Sequence, residues 1–132
     1  MVGIVKVDTL QNNAGTSSVG MDYVVNGSAK AWVNADATGT PSITGSLNAT
    51  SIVDNSAGDF TLNWSNSMAN GNYSITGMTQ NFDVSSTSTA VLGIKTGTTP
   101  AASSVNLTTC RTSATSTVEQ DVNCASVFGD LA

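Results

Sequence analysis

The sequence predicts an all-β protein: an antiparallel β-sandwich or jelly-roll-like module with an extended N-terminal arm. Three observations carry this. Short apolar–polar alternations recur along the chain. Clusters of Asn, Asp, Gly and Ser interrupt them at spacings of roughly 8 to 12 residues, as between the strands of a sandwich. No window of a dozen or so residues sets Leu, Ile or Met at helical spacing, and strong helix formers are scarce.

The elements follow in order. Val2 to Leu10 is rich in β-branched residues and leads into the turn-prone Gln11-Asn12-Asn13-Ala14-Gly15. Residues 1–27 hold no large anchor before Tyr23, so they are set apart as an arm or attachment segment, and 28–132 as the β-module. Ala29 to Asn34 reads as a strand ended by the turn Asp36 to Pro41, and Ile43 to Val53 as a longer strand region. Asp54 to Asp59 is a dense turn signal. After it, Phe60-Thr61-Leu62-Asn63-Trp64 alternates strictly, placing Phe60, Leu62 and Trp64 on one sheet face. Together these predict a hairpin with a turn of about four to six residues. Ser67 to Gly71 forms a loop before Asn72 to Met78, with Tyr73 and Ile75 on one face. Further strands are expected at Gln80 to Val84, Ala90 to Lys95, Val105 to Arg111 and Val118 to Phe128.

Composition narrows function. Ser and Thr exceed a quarter of the 132 residues, against three Phe, two Tyr and two Trp. So modest an apolar supply predicts a core completed by self-association. The net charge is −5, and the four cations, Lys6, Lys30, Lys95 and Arg111, are scattered. Nucleic acid, which requires clustered cations, is therefore a poor partner. No apolar run approaches the length of a membrane-spanning helix. The N-terminus lacks the layout of an export signal, which predicts folding in the cytoplasm of the producing cell.

The chain has no histidine, which removes Ser-His-Asp and Cys-His constellations and His-ligated zinc. The remaining candidates for acid–base work are carboxylates such as Asp54, Asp59, Asp83 and Asp121. Asp54 and Asp59 sit in a turn signal where backbone geometry favours Asp. Residues 54–59 are half the length of an EF-hand loop and lack its Glu, so a hairpin turn is preferred to a calcium site. No catalytic, cofactor-binding or metal residues are assigned, and no cofactor is expected. Asn-x-Ser/Thr triplets, such as those at Asn48, Asn63, Asn72 and Asn106, occur at about the frequency expected by chance in this composition. Trp32 and Trp64 are read as core anchors rather than sugar-stacking platforms. Cys110 and Cys124 each lie seven residues from Thr117. A hairpin centred there would bring them opposite each other for a disulfide; two reduced, buried thiols are the alternative. Candidate surface contacts come from the turns: Asn55, Asp59, Asn70 and Asn72.

Four segments, taken together, resemble a β-rich module of tailed-bacteriophage structural proteins, of the marine and freshwater type usually described as tail fibre. They are A-K-A-W-V-N (29–34), S-L-N-A-T-S-I-V-D-N-S-A-G-D-F-T-L-N-W (46–64), M-A-N-G-N-Y (68–73) and V-N-C-A-S-V-F-G (122–129). The stretch V-K-V-D-T-L-Q-N-N-A-G (5–15) is similar to the segment that often precedes that module. The match is loose between about 79 and 117. Ala35 stands where the family more often carries an aromatic. The resemblance implies a virion protein, a homotrimer without cofactor. It would attach to other virion proteins through the arm and contact a host surface glycan or outer-membrane protein. The expected function is a short trimeric tail fibre or receptor-binding component. The alternative is a capsid decoration protein that stabilises the head shell, which the short chain would suit, and a glycan depolymerase is the weakest reading.

Overall fold

The computed structural model describes residues 3–80, 89–112 and 116–132. Two four-stranded antiparallel sheets pack face to face as an all-β sandwich. The first has the order β4 (Ser42–Leu47), β3 (Ala31–Asp36), β10 (Asn123–Phe128), β7 (Ser74–Thr79). The second has the order β5 (Ala49–Ser56), β6 (Asp59–Trp64), β9 (Ser104–Arg111), β8 (Ala90–Ile94). Ahead of the sandwich lie a small hairpin, β1 (Thr9–Gln11) with β2 (Ser18–Gly20), and one short helix, α1 (Met21–Gly27).

The inner faces show how a chain with few large side chains still closes a core. The first sheet contributes mostly small residues, Ala31, Val33, Ala35, Ala125 and Val127, all buried. The second contributes the bulk: Phe60, Leu62 and Trp64 from β6, and Val105 and Leu107 from β9. Small against large lets the sheets approach without voids, which native packing density requires. The strict alternation of β6 therefore buries as expected, Phe60, Leu62 and Trp64 facing inward together.

Polar locks close both ends of the core. At one pole, Met68 is fully buried, and the Trp64 and Tyr73 rings meet edge to face at 6.2 Å. Tyr73 Oη lies 3.0 Å from the Ala101 carbonyl and 2.9 Å from that of Ser104, and it accepts a hydrogen bond from Trp64 Nε1 at 3.4 Å. The hydroxyl thereby pins the turn ahead of β9 to the start of β7. At the opposite pole, Asn123 is buried; its Nδ2 donates to the Gln120 carbonyl at 2.8 Å, and its Oδ1 accepts from Thr79 Oγ1 at 2.8 Å. There too the Gly58 carbonyl accepts from Thr109 N at 2.8 Å and Thr108 Oγ1 at 3.0 Å, while Thr109 Oγ1 donates to the Val118 carbonyl.

Several sequence expectations are corrected. Val2 to Leu10 is not one strand: residues 3–8 carry no regular structure, and pairing begins at Thr9, where β2 supplies a partner. Ile43 to Val53 is broken at Asn48, whose φ of 59° turns the chain from one sheet into the other. Asn48 holds that corner by accepting from Asn66 N at 2.7 Å and donating to its carbonyl at 3.0 Å. The β5–β6 hairpin turns over Ala57-Gly58 alone, so Asp54 and Asn55 belong to a strand. Val118 to Phe128 is strand only from Asn123. The expected strand at Gln80 to Val84 lies, from Asn81 on, outside the described residues, as does Asp83.

Helix α1 has no counterpart in the sequence reading. It is only 7 residues long and buries none of them, so no apolar stripe marks it. Lys30 Nζ donates to the carbonyls of Val25 and Ser28 near the helix C-terminus, where a cation suits the exposed carbonyls. The next bond, Lys30 N to the Val127 carbonyl at 2.8 Å, opens the sandwich.

Two predictions follow from the locks. At Gly58 (φ 68°) a Cβ would stand 2.5 Å from the Val118 carbonyl oxygen, whereas at Gly39 (φ 57°) it would meet open space. Gly39→Ala should cost about 1 kcal/mol for left-handed backbone alone, and Gly58→Ala at least ~2 kcal/mol more for the displaced 118 backbone; equal losses in urea titrations would contradict this. Tyr73→Phe should cost about 1–3 kcal/mol by leaving the buried Trp64 Nε1 donor unpaired, while the Ala101 and Ser104 carbonyls keep the bonds from each other's amides. Burial raises the Tyr73 phenol above its usual 10.0. The proton is thus held more tightly in the folded state. Stability is complete below pH 10 and falls as pH rises through the folded-state value. Tyr73→Phe should lose that alkaline step in pH-dependent unfolding.

Candidate functional surfaces

The two outer faces of the sandwich differ in chemistry. On the second sheet the outward positions carry Ser51, Asn63, Thr61, Asn106 and Thr108, with Val53 and Val91 as exposed apolar residues near its two edges. Asp59, 7% exposed, stands at the turn end of this face. Its Oδ2 accepts from Lys95 Nζ at 2.7 Å, and its Oδ1 accepts from Asn55 Nδ2 at 3.2 Å. Asn55 Nδ2 also donates to Thr61 Oγ1 at 3.0 Å. The carboxylate is fully engaged by an ammonium and an amide. This network fastens β5, β6 and the end of β8 across the sheet.

On the first sheet the outward positions are partly apolar. Strand register sets Leu47, Trp32, Ser126 and Thr76 in one row, and Gly45, Asn34, Cys124 and Met78 in the next. Trp32 is 42% exposed, Leu47 50% and Met78 77%. The Trp32 ring lies over Gly45, where a Cβ would come within 3.5 Å of it. Along β7 and β10 runs a cleft of about 440 Å³, lined by Thr76, Met78, Gln80, Val122, Cys124 and Ser126.

These positions correct the core-anchor reading of Trp32; Trp64 alone is in the core. The signal was in the sequence: Trp32 shares parity with Lys30, Asn34 and Asp36, while Ala31, Val33, Ala35 and Ala37 form the buried set. Bulk drew the reading to the wrong phase.

The four turn candidates do not converge. Asn55 and Asp59 lie toward the pole of the β5–β6 turn. Asn70 and Asn72 lie in the loop beyond the other end of β6, where Asn70 Oδ1 accepts from Asn72 N at 2.7 Å and Gly71 packs on the Pro100 carbonyl. Asp54 is exposed on β5, and Asp121 sits in the 118–122 segment. Among the described residues, no three His, Cys, Asp or Glu side chains gather as a metal site would require. No helix of the described residues is long and apolar enough to cross a membrane.

The hairpin expected around Thr117 does not form. Cys110 faces outward on the second sheet, paired in register with Val91, and Cys124 faces outward on the first, between Asn34 and Met78. The chain crosses from one sheet to the other between them. Their side chains leave the sandwich in opposite directions, and both thiols are free. Of the intervening loop, residues 113–115 lie outside the described residues.

At the far pole, Asp36 accepts from Thr38 N at 2.8 Å and Thr38 Oγ1 at 2.6 Å, bonds that hold its carboxyl below the usual range. Gly39 N donates to Glu119 Oε2 at 3.4 Å, joining the β3–β4 turn to the 118–122 segment. No family model matches the chain, and no curated protein or solved structure matches it.

Unreduced protein should release two thiols per chain to Ellman's reagent when denatured. In the folded state Cys124, the more exposed, should react ahead of Cys110. A mass two hydrogens short, with no titratable thiol, would contradict the separation of the two cysteines.

Proposed function

We propose that the chain is a structural component of a tailed-bacteriophage virion, acting as a short trimeric tail fibre or receptor-binding protein. The observation that carries this reading is the polarity of the fold. The arm enters at Lys30, at the pole closed by Trp64, Tyr73 and Met68. The turns Ala37 to Pro41 and Ala57-Gly58 and the segment 118–122 lie at the other pole, some six strand residues away. Attachment at one end and presentation at the other is the layout that a fibre tip needs.

Three further features support it. The resemblance of residues 29–34, 46–64, 68–73 and 122–129 to phage fibre modules falls on strands, turns and core locks of the sandwich. Exposed hydroxyls and amides, with few charges, suit weak contacts to a glycan or protein surface. Three copies per fibre and several fibres per tail would convert such contacts into avidity. The face most available to a host is the far pole, with Thr38, Gly39, Thr40 and Glu119. Asn55 and Asp59 support it from the adjacent sheet, while Asn70 and Asn72 belong to the arm pole.

Immunogold labelling of intact particles should mark the tail, and purified protein should bind susceptible cells and spare resistant ones. Gold on the head would move the chain to the decoration role, and absence from particles together with absence of cell binding would overturn the virion reading.

A further inference from the structure

We propose that the apolar outer face of the first sheet is covered by the N-terminal arm of a second copy of this chain. The inference rests on the virion reading only for its trimeric setting, and it gives the arm a contact between copies, leaving the pole at Lys30 as the attachment end.

The arm has no interior of its own. None of residues 3–27 is buried. Ile4, Val5, Val7, Leu10, Val19, Tyr23 and Val25 are 77%, 84%, 42%, 46%, 40%, 78% and 52% exposed. The hairpin and helix touch each other and barely touch the sandwich. A three-pair hairpin and a 7-residue helix are too short to hold their shape in water unaided. What they lack is a surface to lie on.

The first sheet offers one. Trp32, Leu47 and Met78 stand on a face otherwise built from Ser, Thr, Gly and Cys, beside the cleft along β7 and β10. β7 is the last strand of its sheet, so its outer edge is open to an extended segment among the described residues. Residues 3–8 carry no regular structure, and drawn out as a strand against that edge they would set Val5 and Val7 on one side.

Charge selects the same pairing. Residues 1–27 carry Lys6 against Asp8 and Asp22, and Lys30, whose ammonium binds carbonyls at the end of the arm's helix, brings residues 1–30 to neutrality and leaves the net −5 to 31–132. Within its strands, the first-sheet face bears one ionic group, Asp36, already hydrogen-bonded to Thr38. Whole modules repel one another; a segment neutral through Lys30, laid on an almost uncharged face, does not.

Area decides against simple face-to-face pairing. Four strands of about six residues give a face of roughly 20 by 19 Å, or about 400 Å². A stable interface buries about 800 Å² per partner. The sheet face reaches about half of that, so one face pairing falls short; with exchanged arms each copy buries its face at one contact and its arm at another, about 800 Å² per copy over the two. Passing each arm to the next copy is a heterologous contact, which closes as a ring when three copies complete the rotation.

The natural thiol on this face gives the test. In full-length Cys110→Ser protein, Val7→Cys places one new thiol on the arm, with Cys124 on the face, and a short bismaleimide can bridge them. The expected result is a covalent bridge between different chains, lost when Cys124→Ser is added. In the otherwise native chain, Val7→Asp and Met78→Asp should each weaken self-association at least tenfold by sedimentation, with the far-ultraviolet spectrum unchanged. Met78 is 77% exposed, so its substitution leaves the core intact. A bridge confined to one chain, no bridge to Cys124, or unaltered association in both Asp variants would overturn the proposal. Self-association is read on purified protein and virion position by microscopy, so either reading can fail without the other.

Discussion

Everything in this sandwich depends on the contact of a small inner face with a large one. Ala31, Val33, Ala35, Ala125 and Val127 lie against Phe60, Leu62, Trp64, Val105 and Leu107, and neither set could close a core against a copy of itself. Two small faces would leave too little apolar area, and two large ones would hold the sheets apart. Complementarity of size lets 132 residues with only seven aromatics bury one core. It also fixes sheet order, because a small-residue strand placed in the large sheet would open a void.

That arrangement explains the polar locks. A core this thin has poorly covered ends, and the chain closes them with hydrogen bonds rather than bulk. Tyr73 and Trp64 seal one pole, and Thr109, Asn123 and the Gly58 carbonyl seal the other. Buried groups of this kind specify structure because leaving them unpaired costs more than the bond contributes. Three of the sequence segments singled out above, 46–64, 68–73 and 122–129, include parts of these locks, so they mark fold-determining positions rather than a chemical site.

Legibility followed local physics. The alternation in Phe60 to Trp64 needed only side-chain parity and was readable without a fold. The break at Asn48 was not, because a single left-handed residue inside a β-branched stretch is set by the two sheets it joins, through its bonds to Asn66. Cys110 and Cys124 misled for a related reason: equal spacing about Thr117 implies a hairpin only if both strands share a sheet. Trp32 was misplaced because size was weighed above phase, although Lys30, Asn34 and Asp36 announced the phase. The outer faces were the least legible part, since sequence order does not show which rows align across four strands.

The sandwich thus completes itself, and the arm does not. Chain order separates a segment with exposed apolar side chains and no buried residue from an acidic module that closes its own core, and the proposed exchange of arms would make assembly part of the fold. Hydrogen exchange measured over a dilution series tests that claim most directly. The account predicts that amides of Thr9 to Gly20 and of edge strand β7 lose protection together as concentration falls, while β6 and β9 stay protected throughout. Arm amides equally protected at every dilution would contradict it, because the arm would then be stable without a second copy.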